Sequence, residues 1–149
     1  MKILKTKKTL LAIFYSNLRG LKTEQFKTDD EMEQYRNKLK PTIKAKLKDY
    51  CDLWEDIKNI QRNFSQKKIT EEEVKKAIAD SNNKFANLDV VNENKDLILE
   101  LEDADFNLLF DLFGLIGKKA FTNVDKYLDF KEQLNATNMQ PNEKRTSKN

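Results

Sequence analysis

The sequence predicts an all-α domain of four or five helices packed around a long central helix kinked at Pro41. Three observations lead there. Apolar residues between Ile43 and Phe64 recur at alternating steps of four and three (Ile43, Leu47, Tyr50, Trp54, Ile57 and Phe64, with Gln61 the one break), the spacing that lays a stripe along one face of a helix. Thr28 and Thr70 each precede a glutamate, Glu31 and Glu73, at capping-box spacing. The 149 residues include only three Gly and two Pro, little material for hairpin turns.

The elements follow in order. Met1–Lys5 is compatible with a short extended start, after which a helix runs from Thr6 or Thr9 to Arg19. Leu10, Leu11, Phe14, Leu18 and Leu21 share one face of it, and Gly20 is placed to stop it in a left-handed conformation. Thr28 and Glu31 open the second helix, with Asp29 and Asp30 adding negative charge where the helix dipole favours it. Pro41 removes one backbone donor and biases Lys40 away from helical geometry, so the helix from Asp29 to Phe64 is expected to kink there and resume. Thr70 and Glu73, with Ile69 and Val74 as a hydrophobic staple, start a helix over 71–86 that folds back through Gln66-Lys67-Lys68. This antiparallel pair is expected to organise the fold.

Leu97, Leu99 and Leu101 alternate with Ile98, Glu100 and Glu102, which reads equally as a short strand or an extended linker over 96–102. Asp103 can cap a helix carrying Phe106, Leu109, Phe110, Phe113 and Ile116. A last helix spans 123–134 through Val124, Tyr127 and Leu128. Residues 1–134 thus form one helical domain, and 135–149, polar and containing Pro141, are expected to be a disordered tail.

Composition excludes several chemistries. There is no His and a single Cys, so His- or Cys-rich zinc sites, catalytic triads and histidine general bases are ruled out. Cys51 flanks the seam and reads as a small buried thiol. No Gly-rich phosphate loop or nucleophile elbow is present. Asp103, Asp105 and Asn107 match the first ligands of a calcium loop, but Leu108 stands where Gly is required and Gly114 where the bidentate Glu belongs. No catalytic residue, cofactor or metal is therefore nominated, and the chain is expected not to be an enzyme.

Lys2, Lys5, Lys7 and Lys8 precede the apolar run Leu10–Tyr15, imitating a signal peptide, yet that run is shorter than the ~7–15 residues of a signal core. Nothing approaches a membrane span. The Asn-x-Ser/Thr patterns at Asn63 and Asn135 carry no meaning in a reducing compartment, and a cytoplasmic location is expected.

Charge is uneven. Residues 1–27 carry seven basic groups and one acid, whereas 96–117 carry six acids and no base. Two binding surfaces follow. The segment 106–116 is apolar almost all round, more than a helix with one buried face needs, so it is either central core or a docking surface. As a surface it offers Phe106, Phe110 and Phe113 as apolar anchors and Asp103, Asp105 and Asp111 as an acidic rim, for a protein partner or a second copy. The alternative is a nucleic-acid surface built from Lys5, Lys7, Lys8 and the stripe Lys40, Lys44, Lys48. Arg is scarce, which argues against bidentate reading of bases.

The run Met1-Lys2-Ile3, Leu10-Leu11-Ala12-Ile13 and Asn17-Leu18-Arg19-Gly20-Leu21-Lys22, followed by a long charged helix and a late acidic-apolar helix, resembles a family of small uncharacterised proteins of bacteriophages and prophages of low-GC Gram-positive bacteria. The likeness spans roughly residues 1–130. It implies a phage or mobile-element accessory protein. That family has no assigned activity, so it implies no site residues. The functional expectation is a non-enzymatic accessory protein acting by protein–protein binding, with nucleic-acid binding as the alternative and no small-molecule substrate.

Overall fold

Residues 2–7 form a strand, which bears out the extended start at Met1–Lys5 and places Thr6 in the strand rather than in the helix. In a computed structural model that describes residues 1–141, β1 (Lys2–Lys7) runs antiparallel to β2 (Asp96–Leu101), with Lys2 opposite Leu101 and Lys7 opposite Asp96. The protein is mostly helical, but this small sheet corrects the all-α expectation; of the two readings of 96–102, the strand holds. Leu4, Leu99 and Leu101 face inward, while Ile3, Lys5 and Ile98 face solvent. The inward face of β1 also carries Lys2 and Thr6, both buried.

The chain turns directly into α1 (Lys8–Leu18), which buries Leu10, Leu11, Phe14, Tyr15 and Leu18. No glycine adopts a positive φ, so Gly20 is not the left-handed stop expected; α1 ends as Arg19 donates to the Tyr15 carbonyl. After a 3₁₀ turn (Thr23–Gln25), Thr28 caps α2 (Asp29–Gln34), its hydroxyl accepting from the Glu31 N–H at 3.1 Å. The Glu31 carboxylate reaches Lys27 N–H at 3.1 Å rather than Thr28, so only half of the expected box forms.

The helix then widens into a π turn (Tyr35–Leu39) before α3 (Lys40–Lys46). In a regular helix Pro41 would leave the Asn37 carbonyl without a donor and press its ring against it; a wider turn relieves that clash. Pro41 therefore deforms the helix without ending it. The break comes at Leu47 (φ −114°, ψ 32°), a fully buried residue with no helix-breaking chemistry, so core packing rather than a local breaker divides the expected 29–64 helix.

Beyond it, α4 (Lys48–Ser65) and α5 (Glu71–Asn92) form the antiparallel pair. Between them Lys67 adopts a left-handed φ of 59°, and the Lys67 and Lys68 N–H groups close back onto the carbonyls of Phe64 and Asn63. The Thr70–Glu73 capping box is complete, with bonds of 3.2 and 3.1 Å. The pair is not the organiser, however: among their described residues α4 buries only Tyr50, and α5 only Ser81 and Asn92.

The core lies where α1 meets α6 (Asp103–Ala120) and α7 (Val124–Asn138). The Phe14 ring lies 5.7, 6.4 and 5.3 Å from those of Phe113, Phe121 and Phe130. Gly117 lets the Phe113 ring lie on its own helix, since a Cβ there would fall 2.8 Å from it. Order continues past residue 134: α7 extends to Asn138 and Gln140 is hydrogen-bonded to Ile3, so the tail expected from 135 does not begin there. Its remainder, 142–149, lies outside the described residues.

The two faces of the ribbon should respond differently to truncation. Leu4→Ala, on the inner face, is expected to lower the unfolding free energy in urea by about 2–5 kcal/mol. Ile98→Ala, on the outer face, should cost less than about 1 kcal/mol.

Candidate functional site

The two faces of α6 settle which of its side chains a partner could touch. Phe106 is fully enclosed, with the Lys2 ammonium 5.4 Å from its ring centroid, and Phe113 is buried among Phe14, Tyr127 and Phe130. Both belong to the core, which corrects their nomination as docking anchors. Asp105, nominated for the rim, is buried too. Asp103 sits beside it in the first turn, where carboxylates complement the helix dipole.

Phe110 and Asp111 remain, on the side of α6 that faces the 3₁₀ turn and α2. Here a groove opens. One hollow of about 390 Å³ has Phe26, Leu108, Phe110, Leu112 and Leu115 along its apolar surface, with Lys27, Glu31 and Asp111 at its polar margin. A second, of about 170 Å³, adjoins it through Glu31, Leu108 and Asp111, and adds Asp30, Gln34 and Asn107. Leu115, at the edge of this groove, is 56% exposed. One side of α6 fills the core and the other floors this groove, so the helix is apolar almost all round.

A polar hollow of about 370 Å³ lies between the π turn and the start of α6, lined by Asn37, Lys38, Thr42, Glu102 and Asp105 among others. The Asp105 Oδ1 atom is buried without a hydrogen-bond partner among the described residues. Burial, then the neighbouring Glu102 carboxylate, push the Asp105 carboxyl above its ordinary range, while Lys38 opposes them. Among the described residues no group of three or more His, Cys, Asp or Glu side chains is placed to hold a metal ion.

The basic residues named from the sequence do not gather. Lys7 pairs with Asp96 at 2.7 Å, Lys8 with Asp49 at 2.8 Å and Lys48 with Asp52 at 2.9 Å, while Lys5 lies apart on the outer face of β1. Lys40 instead has Lys44 and, beyond the named residues, Arg19, Arg36 and Lys58 near enough for their charges to act on it. Sequence reasoning missed those three partners. The four-residue spacing of Arg36, Lys40 and Lys44 was a usable signal; the approach of Arg19 and Lys58 was not.

Asp49 roots the α4–α5 pair. Its carboxylate receives the Lys8 ammonium, the Tyr50 N–H at 2.8 Å and the Asn92 amide at 3.3 Å. Burial alone would raise its pKa, but these bonds outweigh it and hold the carboxyl below its ordinary value. Tyr50 adds a bond from its hydroxyl to Asp89 at 2.8 Å.

No protein-family model matches the chain, and no curated protein or solved structure is significantly similar to it. Among the described residues no helix is long and apolar enough to cross a membrane.

The two carboxylates should respond to pH in opposite senses. Asp105 holds its proton more tightly in the folded protein than in the unfolded chain, so ionising it costs stability as pH rises from the unfolded to the folded pKa. Asp105→Asn should therefore stabilise the protein at neutral pH and lose that advantage in acid. Asp49 is depressed, so its contribution is complete above the unfolded pKa and disappears as pH falls through the folded one. Asp49→Asn should destabilise at neutral pH and converge with the parent in acid. Urea titrations across pH read both.

Proposed function

We propose that this chain is a non-enzymatic accessory protein of the phage or mobile-element kind, acting by binding another protein in the groove between α6 and residues 25–34. The observation that carries the reading is the coincidence in that groove of solvent-reaching apolar side chains, Leu115 and Phe110, with the carboxylates of Asp30, Glu31 and Asp111. Apolar anchors inside a charged margin are the anatomy of a protein interface. The margin sets three carboxylates against one ammonium, Lys27, in a chain with net charge +3, so the negative charge is local to the groove. It favours an amphipathic segment that inserts apolar side chains and presents Lys or Arg to the rim. The action is steric, the occupied groove masking or positioning the partner.

Synthetic amphipathic helices with matched apolar faces and either Lys or Glu on the polar face separate charge from hydrophobicity. The Lys peptide is expected to shift the amide resonances of α2 and α6, and Leu115→Asp should abolish the shifts while leaving the fold intact. Equal binding of the Glu peptide, or undiminished binding by Leu115→Asp, sinks the proposal. A light-scattering mass measured alongside shows whether the partner is a second copy of the chain.

A further inference from the structure

Four cations from three stretches of chain lie near enough to a fifth, Lys40, for their charges to act on it. Arg36, Lys40 and Lys44 follow one another at four-residue steps along the continuous helix from the π turn into α3. Arg19, at the end of α1, is held with its guanidinium 4.5 Å from the Trp54 ring centroid, and Lys58 lies one turn beyond Trp54 on α4. Lys40 is half-buried. Burial, and then the charges of Lys44, Lys58, Arg19 and Arg36, hold its ammonium below the ordinary lysine value. None of the five makes an ion pair with the described residues, whereas Lys7, Lys8 and Lys48 all do.

We propose that Arg19, Arg36, Lys40, Lys44 and Lys58 form a binding face for the phosphate backbone of a nucleic acid, without reading its bases. Clustered, unneutralised cations are what phosphate contacts require. An acidic protein would be a poorer match. Of the large apolar side chains exposed among the described residues, Phe64 alone shares a helix with one of the five cations, six residues beyond Lys58, so the cations have no apolar anchor beside them of the kind protein interfaces use. Trp54 is half-buried, and its ring is already in contact with Arg19, Tyr15, Tyr50 and Phe85 rather than presented as a stacking platform. The recognition left to this face is electrostatic and independent of sequence. It uses none of the groove residues and stands apart from the protein-binding proposal.

Fluorescence anisotropy with a labelled oligonucleotide of about 20 nucleotides, titrated across salt, tests this. Binding at low salt should weaken with a log–log slope of about −3 to −4. The triple variant Arg36→Gln/Lys44→Gln/Lys58→Gln keeps Lys40 and Arg19 in place. It should lose affinity by about tenfold or more and flatten the slope by about 2. Lys118→Gln/Lys126→Gln/Lys131→Gln removes the same charge from α6 and α7 and should change binding far less. Circular dichroism confirms that both triples are folded. Absence of low-salt binding, equal losses in the two triples, or displacement of the oligonucleotide by polyglutamate at equal charge each overturns the proposal, the last by assigning the face to an acidic protein.

Discussion

The pairing of residues 2–7 with 96–101 is the constraint on which the rest of the structure depends. A two-stranded ribbon is marginal on its own, so its faces must be covered. The inner face packs Leu4, Leu99 and Leu101 into the core, and α7 lies along β1. Thr6 donates a hydrogen bond to Gln133, and the buried Lys2 ammonium donates to the carbonyls of Asn138 and Gln140 at 2.8 and 3.2 Å, where the α7 dipole is negative. The Gln140 amide then donates to the Ile3 carbonyl at 2.8 Å and accepts from its N–H at 2.9 Å, taking the place a neighbouring strand would occupy. One strand thereby fixes β2, α1 and α7 together.

That arrangement explains why the strongest sequence pattern is not the centre of the molecule. The seam that begins at Ile43 enters the core only through Ile43, Leu47 and Tyr50. From Trp54 onward its residues are half-buried or exposed, and Phe64 is 45% exposed. The later part serves the α4–α5 contact, while attachment to the body falls to Asp49, Lys8, Asn92 and Tyr50 at the root and to Trp54, which packs against Tyr15 and Arg19. A stripe of this period shows that a helix has a helical partner; it does not show that the pair sits in the middle.

Features governed by neighbouring residues were legible. The Thr70–Glu73 box, the Thr28 cap and the turn at 66–68 each depend on a few adjacent side chains and formed where the sequence placed them. An extended start at 1–5 was legible, but its length and its pairing were hidden, because two inward positions of β1 are Lys2 and Thr6, whose burial is repaid by α7 groups more than a hundred positions along the chain. The break at Leu47 was hidden for the same reason, as nothing local marks it. The candidate groove was half legible: Phe110 and Asp111 were named, but Phe106 and Phe113 are indistinguishable from them in sequence, and only the packing of α1 and α7 decides which side of α6 turns inward.

Charge placement along the helix from Asp29 to Lys46 carries a last distinction. Acids in its first turn and bases further on are what the helix dipole prefers, so that segregation alone says nothing about function. Ordinary solvated faces also pair opposite charges one turn apart, as Lys48 with Asp52 and Glu71 with Lys75 do here. Arg36, Lys40 and Lys44 do the opposite, setting cation over cation at successive turns, each such step costing a few tenths of a kcal/mol in an isolated helix. Arg19 and Lys58 add to that repulsion from other elements, and Lys40 bears it while half-buried. A fold optimised for stability alone would place a carboxylate at one of these turns, and a bound anion would relieve the same repulsion from outside.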